Sequence, residues 1–136
     1  MPWLLADVNL DGHARWLELL LDGDETLAYY RTALDLVVVT FDDVGWDRRM
    51  ADDDLWRRCQ EEEWLLITAN RNADGPRSLE AAIRASRDRF CLPVFTLADA
   101  DEFLQSREYA HRVAIQLIDY LLRLPELLGS GRVYLP

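Results

Sequence analysis

The chain contains no lysine: all 15 of its basic Lys and Arg positions are arginine. Chemistry that needs an amine is thereby excluded, from Schiff bases to the lysine on which a phosphorylated receiver domain depends. Cysteine is scarce too. Cys59 and Cys91 stand far apart, with no CxxC and no histidine at ligand spacing, so a zinc site is not expected and a disulfide stays undetermined. Two buried thiols is the simpler expectation. No run approaches the roughly 20 apolar residues of a membrane span, and the start lacks a basic head and a long apolar signal core. The expectation is a cytoplasmic protein without a membrane segment. Positive charge is in short supply as well, with 25 acids against 15 cations and a net charge of −10. Such a surface repels a polyanion and counts against general wrapping of nucleic acid, while leaving room for a local arginine patch that binds one phosphate. No GxSxG, HExxH, P-loop or dinucleotide glycine fingerprint occurs, and neither His13 nor His111 has a nucleophile beside it in sequence.

What is present is 136 residues, half of them apolar, enough for one domain over residues 1–136 with a single substantial core. Trp3–Ala6 is a short apolar run and reads as a buried strand. Asp11 is expected to cap a helix that carries Ala14, Trp16, Leu17, Leu20 and Leu21 and stops at Asp22-Gly23. Residues 24–34 suggest a second, shorter helix, and Leu36–Thr40, LVVVT, a strand covered on both faces. The polar segment FDDVGWDRRM leads into a helix whose acids at 52–54 sit in its first turn and whose apolar stripe is Ala51, Leu55, Trp56 and Cys59. Trp64–Thr68 gives a third strand, Ser78 caps a helix to about Arg87, and Leu92–Thr96 gives a fourth strand. One long amphipathic helix with Ala110, Val113, Leu117, Leu121 and Leu124 on one face follows, weakened at Pro125. The ending GSGRVYLP reads as a turn and an edge strand. Alternating strands and helices of these lengths imply right-handed βαβ units and a mainly parallel sheet with helices on both faces, a three-layer α/β/α sandwich.

Residues 7–18 satisfy the twelve-residue pattern of a calcium loop, with Gly12 at the turn and Glu18 at the end. The segment before them is strand-like, no second loop pairs with them, and Arg15 sits near the coordinating end. A strand end at Asp7, a capped helix and a solvent-facing Glu18 explain the same residues. In open parallel sheets ligands bind beyond the carboxyl ends of the strands. Oxygen-bearing residues follow each predicted strand here: Asp7 and Asn9, Asp42 and Asp43, Asn70, Asn72 and Asp74, then Asp99 and Asp101. Neighbouring parallel strands lie about 4.8 Å apart, so such side chains can converge on one hard cation, Mg²⁺ or Mn²⁺, that polarises a phosphate and lowers the pKa of a water. Taken singly, each is also an ordinary cap or loop residue.

LLADVNL, followed by DDDLWRRCQEEEWLLITANRN, resembles the PIN-like proteins of bacteria. Their first strand ends in an L-A-D-E-N motif, and a later D-E-E-I-L helix runs into a strand closing on T-x-D-x-D. Ala6-Asp7-Val8-Asn9 fits the first motif and Asp52-Asp53-Asp54-Leu55 the second. Thr68-Ala69-Asn70-Arg71-Asn72 fits the third with both acids replaced by Asn. The resemblance covers the first half of the chain; the last long helix and GRVYLP lie outside it, and the helix at 24–34 is a departure. It implies a PIN-like sandwich and a metal-dependent ribonuclease of toxin type. By that carry-over Asp7, Asp52, Asn70 and Asn72 form the catalytic set, with Asp7, Asp52 and Asn70 as metal ligands. Arg71 and Arg77 flank the same loop and Arg48 leads into the acidic helix, and these suit a phosphate as bidentate guanidinium groups.

Because an amide contributes no charge to a hard cation, weak metal affinity and slow cleavage are expected. The competing expectation is a catalytically reduced PIN-like module that binds a protein partner, with an antitoxin-like protein as the partner class. A homo-oligomer is expected in either case. A dehalogenase-type phosphatase is disfavoured because the residue two after Asp7 is Asn9 rather than a second acid.

Overall fold

The computed structural model describes residues 2–70, 75–86 and 88–136. Five strands form one all-parallel sheet: β1 (Trp3–Ala6), β2 (Val37–Val39), β3 (Leu65–Thr68), β4 (Val94–Leu97) and β5 (Arg132–Leu135), in the spatial order β2-β1-β3-β4-β5. The strands are short; β1 and β2 are apolar throughout and β3 and β4 each carry one threonine in an otherwise apolar run, as expected where helices cover both faces. Against one face lie α1 (Asp11–Gly23), α2 (Glu25–Leu34), α6 (Ala100–Gln105) and α7 (Arg107–Leu122). Against the other lie α3 (Phe41–Val44), α4 (Asp52–Glu62) and α5 (Leu79–Ser86). A last helical turn, α8 (Leu124–Leu127), carries Pro125 near its start, where the missing N–H is harmless. The molecule is thus a three-layer α/β/α sandwich.

Alternation along the strands divides the core. Leu4, Ala6, Val38, Leu65, Ile67 and Phe95 pack toward α1 and α7, while Leu5, Val39, Leu66 and Val94 pack toward α4 and α5. On the second face, Leu5, Leu66 and Val94 lie side by side in register, and the next row toward the carboxyl ends contains Thr68 and Thr96. Asp7 extends that row, because its backbone N–H still donates to the Ile67 carbonyl at 2.9 Å.

Several boundaries differ from the sequence reading, each for a local reason. Asp11 does not cap α1. Leu10 is the N-cap, and Asp7 instead caps a single 3₁₀ turn, Val8–Leu10, by accepting the Val8 N–H. The polar segment after β2 contains α3, held by a reciprocal capping box between Thr40 and Asp43. The long final helix is two helices, because Ser106 is extended and accepts the Tyr109 N–H as the N-cap of α7. The crossovers also depart from a uniform hand. β4→β5 steps in the same direction as β3→β4, yet its helices lie on the opposite face, so the two connections have opposite hands. α7 packs against both α1 and α2 and completes the first layer. Among the described residues, no helix is long and apolar enough to cross a membrane.

Candidate active site

From β1 the chain leaves for β2 on one side, and from β3 it leaves for β4 on the other. The carboxyl ends of β1 and β3 therefore border a switch point, where diverging connections leave a crevice. Asp7 ends β1 there. Its carboxylate accepts the Val8 N–H at Oδ1 (2.7 Å) and the Thr68 hydroxyl at Oδ2 (2.6 Å). Thr68 Oγ1 in turn accepts the Asn70 backbone N–H at 2.9 Å, so a single hydroxyl fixes both strand ends. Asp52, in the first turn of α4, accepts the Asn70 side-chain N–H at 2.8 Å. The crevice thus brings Asp7, Asp52 and Asn70 together.

Asp7 is only 8 % exposed. Burial holds its carboxyl above the ordinary value of 3.8; the bonds from Thr68 and Val8 oppose the shift, and the charge of Asp52 adds to it. Behind it, Cys59 on α4 is a buried free thiol pushed up to about 12, mainly by burial and further by Asp7. Cys59 is protonated at neutral pH and packs as an apolar group.

Of the arginines expected at the site, Arg77 and Arg48 are already engaged. Arg77 Nε donates to both oxygens of Asp53 (3.2 and 3.0 Å) and its Nη2 to Asp54 (2.9 Å), which holds Asp53 below the usual carboxylate range. Arg48 donates to Asp11 at 2.9 Å and to the Val8 carbonyl at 3.0 Å, and approaches Asp42 at 3.5 Å. Both are exposed. Asp43 and Asp99 serve as cap partners, bonded to Thr40 N and Glu102 N respectively. Arg71, Asn72 and Asp74 lie outside the described residues.

A second polar group adjoins the first, and sequence reasoning passed over it. Arg132, on the edge strand β5, extends along the sheet to donate from Nη1 to the Thr96 hydroxyl (2.8 Å) and to the Asn70 carbonyl (2.9 Å). Its Nε donates to Glu80 on α5 at 3.0 Å. The available signal was an arginine inside a strand-like ending, together with threonines at equivalent ends of β3 and β4.

Asp7, Asp52 and the Asn70 amide oxygen are hard oxygen donors of the kind that suit Mg²⁺ or Mn²⁺. In donor type, though not in charge, the set matches such an ion. Burial and the neighbouring Asp52 both disfavour the Asp7 carboxylate, and among the described residues no cationic side chain is bonded to it. Charge in the set is low, because no group of three His, Cys, Asp or Glu side chains is arranged to hold a metal among the described residues. No protein-family model matches the chain, and neither a curated protein nor a solved structure is significantly similar to it.

Proposed function

We propose that the chain is a PIN-like ribonuclease of toxin type that hydrolyses RNA phosphodiesters with weakly held Mg²⁺ or Mn²⁺. The supporting observation is the buried Asp7 carboxylate at the β1–β3 switch point, facing Asp52 and lacking a cationic partner among the described residues. Asp7, Asp52 and Asn70 would hold the ion, which when bound supplies an acidified water and polarises the phosphate. Thr68 and the Val8 N–H orient the Asp7 carboxylate, so its lone pairs are aimed before any ligand arrives. Arg77 exchanges Asp53 and Asp54 for a substrate phosphate, keeping a bidentate partner throughout.

A second reading is favoured by one contact. The Asn70 amide donates to Asp52, so a protein N–H satisfies a carboxylate that a cation would otherwise neutralise. On that reading the chain is a catalytically reduced module whose ligand is an antitoxin-like protein. A homo-oligomer belongs to both readings and is checked by sedimentation.

Calorimetric Mn²⁺ titration and an RNA cleavage assay on three proteins separate the readings. For the nuclease, Asn70→Asp tightens Mn²⁺ binding and speeds cleavage, because a charged ligand replaces a neutral one. Asp7→Asn abolishes both. Cleavage indifferent to Asp7→Asn would sink the mechanism, and absence of Mn²⁺ binding in all three favours the reduced module.

A further inference from the structure

We infer that Arg132 is the positioning residue of the crevice: from the edge strand it fixes the backbone of Asn70 and thereby aims the Asn70 side chain at Asp52. Its relevance to metal binding rests on the function proposed above.

The position itself is informative. Arg132 is in register with Val94, in the row that continues through Leu66 and Leu5. An aliphatic residue would continue that apolar row against α5. The chain instead places a guanidinium there with its side chain 8 % exposed, opposite Glu80 on the helix above. Burying such a pair is not a route to stability, since apolar replacements of similar volume are commonly neutral or stabilising. A role for its directed hydrogen bonds explains the residue better.

Those bonds converge on Asn70. Its N–H is held by Thr68 and its carbonyl by Arg132 Nη1, which also holds Thr96. With the peptide fixed on both sides, rotation about the side-chain bonds alone decides where the amide lies, and it lies on Asp52. Arg132 thereby carries a constraint from β5 across the ends of β4 and β3 to the acids at β1. A lysine has one ammonium centre and cannot keep Glu80, Thr96 and the Asn70 carbonyl in the same fork geometry.

The double variant Arg132→Met/Glu80→Met separates positioning from folding, because it removes both charges and leaves none buried alone. We expect it to keep the wild-type melting temperature within a few degrees. In metal-free protein, the Asn70 side-chain N–H resonances should collapse toward those of a free amide. Mn²⁺ affinity should fall about tenfold or more, the usual effect of losing a group that orients a ligand. Arg132→Lys, which retains the charge opposite Glu80, should change both readouts in the same direction and serves if the double variant does not fold. Unchanged Asn70 resonances in the folded variant overturn the inference whether or not metal binds. Shifted resonances with unchanged Mn²⁺ affinity overturn its link to the site. If wild-type protein binds no Mn²⁺, the nuclease reading fails, and the Asn70 resonances still decide what Arg132 does.

Discussion

Asp7 shows how one residue can be unfavourable for the fold and suited to a site. Its folded pKa is raised, so ionising it costs stability, and the cost grows as pH rises from the ordinary value of 3.8 through the higher folded one. Above the folded pKa the metal-free protein carries that cost in full. Asn at this position keeps an oxygen for the Val8 N–H and has no charge to desolvate. We therefore expect Asp7→Asn to raise the metal-free melting temperature by a few degrees at pH 7, with the gain shrinking on acidification toward the ordinary carboxylate range. Thermal melts of both proteins from pH 3 to 7 provide the check. A lower melting temperature for Asp7→Asn across that range would show that its hydrogen bonds outweigh the charge, making Asp7 a structural residue.

At the scale of elements, the caps decide where helices begin, and they explain why adjacent acids and hydroxyls have such different roles. Asp24 caps α2 by accepting the Leu27 N–H and also meets His111 from α7, which together hold its carboxyl below the ordinary range. Ser106 performs the corresponding task at α7 and separates that helix from α6. Ser106→Ala removes the only side-chain oxygen at that N-cap and should cost about 1 kcal/mol in urea unfolding. The slope of the transition should stay unchanged, because the buried surface is the same. A variant as stable as wild type would mean that the α6–α7 break is fixed by packing of Phe103 and Ala110 alone.

For the whole molecule, the excess of acids is the governing quantity. Ten arginine–carboxylate pairs link described residues, and most are exposed, so each contributes little. The net charge of −10 acts on the compact state as general self-repulsion. Raising ionic strength from about 0.01 to 0.15 M shortens the screening length from about 30 to 8 Å and should raise the melting temperature. If the midpoint instead falls with salt, the individual pairs outweigh the repulsion. Mg²⁺ compared with NaCl at equal ionic strength adds a second measurement: extra stabilisation from Mg²⁺ that disappears in Asp7→Asn marks specific binding in the crevice rather than screening.

The sequence by itself determined the class of fold. Short apolar runs such as LVVVT and WLLIT alternate with amphipathic stretches, and a segment too short to be a buried helix and flanked by helices must be a covered strand. It also placed Asp7 and Asn70 at strand ends, since in a parallel sheet every strand ends on the same edge. Strand order was not legible, because hydrophobic pattern says which face is buried and nothing about which neighbour it meets. Only the tertiary structure put β3 beside β1, so that Thr68 bonds Asp7. It also sent α7 over the far face and brought β5 to the edge, where Arg132 reaches Asn70 across sixty-two positions of chain. Those contacts depend on side chains meeting across the sheet, and local periodicity carries no record of distance in space.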